Sequence, residues 1–122
     1  MTKRGRRHRP ERLAALVQET LATAIATSLK DPRIGFVTIT GVRVTSDGQV
    51  ATVRVSVLGS EDDKGRAIEG LEHARGYLRT VLATQLELRV TPELRFELDR
   101  GIEHAQRIDA LLNEIRRDGE PS

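Results

Sequence analysis

Histidine and carboxylate side chains are the groups in this chain that could perform acid–base or metal chemistry, and their spacing does not favour it. His8, His73 and His104 stand far apart, without the spacing of metal ligands, so surface positions explain them better. The acidic run Glu61-Asp62-Asp63 lacks the alternating carboxylates and the distal glutamate of a calcium loop. Glycine-rich nucleotide motifs are also missing from the sequence. We therefore expect no metal, no cofactor, no small-molecule substrate and no enzyme.

The distribution of arginine is the feature that points to a function. Residues 1–12 carry six basic side chains against Glu11, a net charge of +5, whereas the other 110 residues hold 14 basic and 17 acidic side chains, a net charge of −3. A short basic segment on a nearly neutral body is typical of a nucleic-acid contact, because attraction to phosphate is additive and independent of sequence. A solvated tail without a partner is the alternative. The side chains expected to supply the attraction are Arg4, Arg6, Arg7 and Arg9.

Length and composition are those of one soluble domain. A chain of 122 residues can bury about two-thirds of the surface that its unfolded form exposes. It has no cysteine, no apolar run near the roughly 20 residues of a membrane span, and no apolar segment after its charged start. We expect a cytoplasmic monomer without membrane contact. Its predicted parts are a flexible basic arm at residues 1–9, a folded domain at residues 10–117 and a short polar tail at residues 118–122.

Helical periodicity marks three parts of the chain. Apolar residues in steps of three and four predict a first helix from Pro10 to about Leu29, with the proline in the first turn. The same spacing predicts a last helix over residues 102–115. Between residues 66 and 86 the apolar stripe changes phase at Gly76, which predicts two helices that meet at a kink near Ala74-Arg75-Gly76. Close packing or an unusual dihedral angle would explain a glycine there.

Alternating apolar and polar residues predict three strands. Phe36–Val44 and Val50–Leu58 flank an Asp-Gly turn signal and should form a hairpin. The inward face of the first strand changes parity across Gly41, which predicts a β-bulge. The third strand is expected over residues 86–98, with a bend at Pro92. Gly59–Gly65 should be a loop, with Asp63 near the start of the following helix.

This order of elements, with three local patterns, resembles the ribosome-binding factor A family, small bacterial proteins with a variant K-homology (KH) fold. The resemblance runs from about Pro10 to Ile115. It implies an α+β fold, a single type II KH-like domain with a three-stranded mixed sheet and helices on one face. Ala74-Arg75-Gly76 would replace the G-x-x-G loop of ordinary KH domains. The patterns are Lys30-Asp31-Pro32-Arg33-Ile34-Gly35, Ala74-Arg75-Gly76, and Arg89-Val90-Thr91-Pro92-Glu93-Leu94-Arg95-Phe96 followed by Asp99.

The same resemblance implies a function. The protein would bind free 30S small ribosomal subunits and 16S rRNA, and would assist late 30S maturation and rRNA processing without catalysis. The basic arm would supply attraction, while the contacts on the body would come from Arg12, Arg33, Arg75 and Arg79. Ordinary helix-surface arginines are an equally good account of Arg75 and Arg79. A general KH-like RNA-binding protein, a protein-binding adaptor and a nuclease are the alternative functions.

Overall fold

Seven elements follow one another in the backbone of residues 2–119. The computed structural model describes this backbone and the side chains of residues 10–101 and 108–116. The elements are α1 (Thr2–Thr27), β1 (Val37–Val44), β2 (Val50–Val57), α2 (Glu61–His73), α3 (Arg75–Leu86), β3 (Glu93–Leu98) and α4 (Gly101–Gly119). The order of helices and strands is the one that the sequence predicted.

The three strands form one mixed sheet in the order β1-β2-β3. β1 and β2 pair antiparallel as the predicted hairpin, and β3 pairs with β2 in parallel. The hairpin register shifts between Ile39 and Gly41, so Thr40 is an inserted residue and the predicted bulge is confirmed. In the turn, Asp47 Oδ1 accepts hydrogen bonds from Thr45 Oγ1 at 2.6 Å and from Gln49 N at 3.1 Å.

One face of the sheet carries the core. Along β2, Ala51, Val53, Val55 and Val57 are buried, whereas the alternate residues are partly or fully exposed. Helices α1, α2 and α3 pack on the buried face, and α1 also contacts α3. The predicted α+β class with a three-stranded mixed sheet is therefore confirmed. The fully buried residues that fill the space between the sheet and these helices are Val17, Leu21, Leu71, Leu78, Leu82 and Leu94.

The loop between α1 and β1 packs against α2. Ile34 is only 4% exposed, and a Cβ atom on Gly70 would lie 2.8 Å from its Cγ1 atom. This distance is shorter than a real contact allows, so the close approach of loop and helix requires glycine at position 70. Gly70 therefore has a packing role, which explains why a residue that destabilises a helix relative to alanine occupies this position.

The start of α1 differs from the sequence prediction. α1 begins at Thr2 instead of Pro10 and contains the proline. The preceding segment lacks apolar periodicity, which is typical of a flexible arm, but it is rich in arginine, a good helix former. Side chains of residues 2–9 lie outside the described part, as do residues 120–122 of the predicted tail. The division into arm, domain and tail stays a prediction.

The predicted loop at Gly59–Gly65 is wrong, because α2 begins at Glu61. Ser60 caps this helix: its hydroxyl accepts a hydrogen bond from Asp63 N at 3.1 Å, and Asp63 Oδ2 accepts one from Ser60 N at 2.9 Å. This reciprocal pair is a capping box, which satisfies two backbone donors at the helix start. Asp63 therefore lies in the first turn, as expected.

The third strand is shorter than predicted. β3 begins at Glu93, and Leu86 is instead the last residue of α3. Glu87 follows in the left-handed region with φ of 48°, which ends the helix, and an irregular loop leads to the fully buried Pro92. The alternation of Leu86, Leu88 and Val90 therefore arises from a helix end and a loop.

Candidate nucleic-acid interface

Ala74 forms the junction between α2 and α3, which confirms the predicted kink. Its φ of −85° and ψ of 0° lie outside the helical region. Ala74 N donates to Gly70 O at 3.0 Å, and Ala74 O accepts from Leu78 N at 2.9 Å, so backbone hydrogen bonds continue through the junction. A Cβ atom on Gly76 would meet no described atom within 4 Å, and the φ angle of Gly76 is not positive. The prediction that close packing or an unusual dihedral angle requires glycine at position 76 is therefore wrong.

Arg79 joins α3 to the loop that precedes β3. Its Nε atom donates to Pro92 O at 3.1 Å and its Nη2 atom donates to Thr91 O at 2.9 Å. The residue is exposed, although these two bonds fix its guanidinium plane. Arg79 thus has a structural role that a plain surface arginine lacks, and the remaining N–H groups are held in a fixed orientation.

Arg75 lies one turn before Arg79 on α3. It forms an ion pair with Glu72, three residues earlier, across the Ala74 junction. Its side chain is 42% exposed, so the pair is in contact with solvent. An ion pair of this kind contributes little to stability and is screened by salt. The guanidinium of Arg75 is therefore accessible to a ligand phosphate.

A groove of about 560 Å³ brings these two arginines together with the end of the hairpin turn and the loop before β3. Arginine, amide and hydroxyl groups in it can donate hydrogen bonds to phosphate oxygens and to ribose hydroxyls. Glu93 adds an acceptor that repels phosphate but accepts from a 2′-hydroxyl or a base amino group. Such a mixed lining favours contacts that depend on RNA shape over contacts that depend on charge alone. The lining residues are Gln49, Arg75, Arg79, Val90, Thr91 and Glu93.

Four of these lining residues were not predicted as site residues. Val90, Thr91 and Glu93 belong to the third pattern of the family resemblance, which was a usable signal. Gln49 reaches the groove because Glu93 N donates to Gln49 O at 2.8 Å, where β2 and β3 begin side by side. No sequence signal marks Gln49, since its place in the groove is created by strand pairing.

Arg33 lies outside the groove and is paired with Asp31. Its Nε and Nη2 atoms donate to the Asp31 carboxylate at distances of 2.7–3.1 Å, and its backbone N–H donates to the same group at 2.9 Å. The side-chain hydrogen bond from Arg33, followed by the backbone one, lowers the pKa of Asp31 from 3.8 to about 2. The same pairing raises the pKa of Arg33. The charge of Arg33 is therefore largely compensated.

The other predicted contact residues lie elsewhere. Arg12 is exposed on α1 and is not among the residues that line the groove. The predicted arm contacts have side chains outside the described residues: Arg4, Arg6, Arg7 and Arg9. Of the four predicted residues whose side chains the structure describes, it brings together two in the groove, Arg75 and Arg79.

The acidic run at the start of α2 has a structural explanation. Asp63 belongs to the capping box, while Glu61 forms a bidentate pair with Arg100 at 2.8 Å and a longer one with Lys64 at 3.8 Å. Within the described residues no group of three histidine or acidic side chains could hold a metal ion. His73 is exposed, as expected, and the side chains of His8 and His104 lie outside the described part. No described helix combines the length and the apolar character needed to cross a membrane.

A mixed three-stranded sheet with a kinked helix pair on its covered face and a groove beside the kink places this chain among KH-like α+β domains. A family model described as ribosome-binding factor A matches residues 9–112. The chain belongs to the ribosome-binding factor A family. The resemblance drawn from the three local patterns is thereby confirmed.

Solved structures of this family are similar to the chain. The crystal structure of ribosome-binding factor A from Thermus thermophilus is 33% identical with a TM-score of 0.67, and the match covers 75% of this chain and 98% of that one. A candidate ribosome binding factor A from Thermotoga maritima, solved by NMR, is 39% identical with a TM-score of 0.69, covering 79% and 92%. A homology model of the Thermus thermophilus protein, fitted into a cryo-EM map of a 30S complex, is 32% identical with a TM-score of 0.60, covering 70% and 90%.

Proposed function

We propose that this protein binds free 30S small ribosomal subunits through 16S rRNA and assists late subunit maturation and rRNA processing without catalysis. Membership of the ribosome-binding factor A family supports the proposal, as does the fit of the Thermus thermophilus homologue into a map of a 30S complex. The observation that carries it is the groove beside the kink, where Arg75 and Arg79 lie together. The protein would act in the cytoplasm, as a monomer and without a cofactor.

Its mechanism would be differential binding. A protein shifts a conformational equilibrium only by the difference in its affinity for the two states. If the groove fits an immature arrangement of rRNA better than the finished one, the bound protein favours the immature arrangement until maturation removes the fit. Arg79 is suited to this role because its bonds to Thr91 and Pro92 fix it before RNA arrives. A fixed donor discriminates between RNA shapes better than a mobile one.

The remaining basic residues would supply attraction. Each phosphate that a basic side chain neutralises releases a counterion, so the arm residues Arg4, Arg6, Arg7 and Arg9 would add affinity for any RNA. Arg12 would extend this contact onto the body. Arg33 would contribute less than Arg75, because its guanidinium already makes a bidentate pair with Asp31. Selectivity would then come from the groove and affinity at low salt from the arm.

Gradient sedimentation of cell extract tests this function. We expect the protein in the fraction of free small subunits and largely absent from large subunits and joined ribosomes. A general RNA-binding protein would instead appear in every ribosomal fraction. A protein-binding adaptor would keep its partner at high salt and after removal of rRNA, and a nuclease would cleave precursor rRNA when purified. Any of these three results would contradict the proposal.

A further inference from the structure

Two large apolar side chains are held in solvent at the open end of the hairpin. Phe36 is 81% exposed and Leu58 is 76% exposed, the highest values among the large apolar side chains that the structure describes. They are neighbours across the strands, because Leu58 N donates to Phe36 O at 3.4 Å, one step beyond the pair formed by Val37 and Val57. Neither residue contributes to the core.

The backbone around this pair is fixed by two glycines with positive φ. Gly35 precedes Phe36 with φ of 54°, and Gly59 follows Leu58 with φ of 131°. Other residues rarely adopt these angles. A Cβ atom on Gly59 would also collide with the Asp63 carboxylate, which caps α2. The exposed pair is therefore built into the path of the chain where it enters β1 and where it leaves β2.

Phe36 and Leu58 line a cleft together with Arg33, Ile34, Asp63 and Arg66. Its volume is about 210 Å³. Small-molecule and cofactor sites are usually larger, roughly 300–1,000 Å³. The cleft therefore fits one planar ring better than a whole cofactor.

One cationic side chain at the cleft, that of Arg66, is available to an anion next to that ring. Arg66 is exposed and makes no hydrogen bond or ion pair with the residues that the structure describes. The acidic group of the cleft, Asp63, is occupied by the capping box: hydrogen bonds from Ser60 lower its pKa, and nearby Arg66 lowers it further. Arg66 thus offers a guanidinium beside an exposed aromatic ring.

We propose that this cleft binds an unpaired RNA base, stacked on Phe36 and packed against Leu58, with the adjoining phosphate on Arg66. Aromatic side chains bind bases of any type in this way, because every base has a π face. The proposal rests on the proposed function and adds a second contact to it. An apolar protein segment would use Leu58 equally well and would use Phe36 only as apolar surface, which leucine can also supply.

The position of the cleft gives the second contact a role. The groove lies at the Val50 end of β2 and the cleft at the Val57 end. Eight residues of strand separate them by roughly 20–25 Å, at about 3.3 Å per residue. An RNA surface must present a shaped backbone and an unpaired base at this spacing to engage both. Two linked contacts gain affinity only when the geometry allows both to form.

Substitution of Phe36 tests the proposal through affinity for purified small subunits and for protein-free 16S rRNA. Stacking contributes about 1–3 kcal/mol per base, so Phe36→Ala should weaken binding roughly 5- to 150-fold. Phe36→Leu should weaken it similarly, and Phe36→Trp should preserve it. Wild-type affinity for Phe36→Leu would contradict base stacking and indicate an apolar protein segment. Because Phe36 is exposed, all three variants should melt as the unaltered chain does.

Arg66→Gln should weaken binding and lower the slope of log affinity against log salt by about one, the effect of one lost phosphate contact. Arg95→Gln is the matched control, since Arg95 is exposed on β3 outside the cleft and the groove. It should leave the slope unchanged. An equal effect of both substitutions would contradict a phosphate contact at Arg66.

Fluorescence supplies a direct reading of the cleft. The chain has no tryptophan, so Phe36→Trp introduces a single reporter. Protein-free 16S rRNA should quench its emission, and should not quench Leu112→Trp, a single reporter at a half-exposed position of α4. Unchanged emission at position 36 while the protein binds would overturn the cleft proposal alone. Quenching by whole subunits and not by protein-free rRNA would overturn it in favour of a ribosomal protein. Failure of the unaltered chain to bind subunits would overturn the proposed function instead.

Discussion

Arg79 Nε donates a hydrogen bond of 3.1 Å to the carbonyl oxygen of Pro92 and so ties α3 to the residue that precedes β3. A second bond, from Nη2 to Thr91 O, completes a two-point contact. One side chain therefore connects the two parts of the chain that line the groove, α3 and the loop before β3. The shape of the candidate interface and the stability of the domain consequently depend on the same residue.

Replacement of Arg79 by lysine should therefore affect stability as well as binding. An ammonium group cannot donate to both carbonyls with the geometry of the guanidinium fork, so we expect a loss of about 1–2 kcal/mol in the free energy of unfolding. Denaturant unfolding measures this loss. Arg89→Lys is the matched control, because Arg89 is exposed and pairs with none of the described residues, and it should change stability by less than about 0.5 kcal/mol. Equal effects would contradict the structural role of Arg79.

Gly70 is predicted to be required at its position in α2. In Gly70→Ala the new Cβ would lie 2.8 Å from Cγ1 of the buried Ile34, and overpacking of this kind costs about 1–3 kcal/mol. That loss exceeds the roughly 0.5–1 kcal/mol that alanine gains over glycine in a helix. Thermal or denaturant unfolding of the variant measures the balance.

Two other helical glycines provide controls for this substitution. A Cβ atom on Gly65 or on Gly76 would meet no described atom within 4 Å. Gly65→Ala and Gly76→Ala should therefore each stabilise the protein by about 0.5–1 kcal/mol. Destabilisation by Gly76→Ala would mean that the kink does need glycine, and stabilisation by Gly70→Ala would contradict the packing argument.

Stability should fall in acid in a way that depends on Asp31. Its pKa is lowered from 3.8 to about 2, chiefly by the side-chain hydrogen bond from Arg33. A carboxylate with a lower pKa in the folded state stabilises the fold fully above the unfolded pKa, and this contribution disappears as the pH falls through the folded one. Hydrogen bonds also lower the pKa of Asp47, Asp63 and Asp99, which act in the same direction.

The melting temperature should consequently decrease between about pH 4 and pH 2. Asp31→Asn should melt lower than the unaltered chain at neutral pH and lose less on acidification. Asp109→Asn, at an exposed position of α4 without a hydrogen bond in the described part, should follow the unaltered chain. If the curves of Asp31→Asn and the unaltered chain run parallel down to pH 2, the Asp31–Arg33 pair does not account for the acid sensitivity.

The arm prediction concerns salt dependence. Deletion of residues 1–9 places Pro10 at the start of α1, where proline is tolerated, so the melting temperature should hardly change. The affinity for RNA or subunits should fall, and the slope of log affinity against log salt should shrink by about 2–4. Titrations at several salt concentrations measure the slope. An unchanged slope would mean that the arm makes no phosphate contacts.

Local signals in the sequence predicted local structure well. The Asp47-Gly48 turn and the parity change at Gly41 depend on neighbouring residues, and both the hairpin and the bulge are confirmed. The start of α2 was predicted wrongly, as a loop at Gly59–Gly65, although Ser60 stands three residues before Asp63 in the pattern of a capping box. The end of α3 was harder to predict. Leu86 and Leu88 have the alternating spacing of a strand, although the helix ends between them.

The candidate site was predictable only in part. The phase change of the apolar stripe located the kink, and with it Arg75, because both lie on the same short segment. The groove also needs Gln49 and Thr91, which meet there because β3 pairs in parallel with β2. Pairing between strands more than 40 residues apart has no local signal. The exposure of the Phe36 ring likewise could not be predicted from its residue type, because it depends on the path of the chain.

The central claim is that the face beside the kink recognises the small subunit. The most direct test is the affinity of the purified protein for free small subunits at near-physiological salt, compared with large subunits and joined ribosomes. The test variant carries Arg75→Glu with Arg79→Glu. The control carries Arg43→Glu with Arg95→Glu, an equal change of charge at two exposed residues that flank Thr52 across the open face of the sheet.

Melting curves of both variants establish that each is folded before binding is compared. The test variant should lose its preference for free small subunits while keeping weak binding to unrelated RNA at low salt, which the arm supplies. The control variant should retain the preference. If the test variant still selects free small subunits, or if the control loses the preference to the same extent, the groove beside the kink does not recognise the subunit.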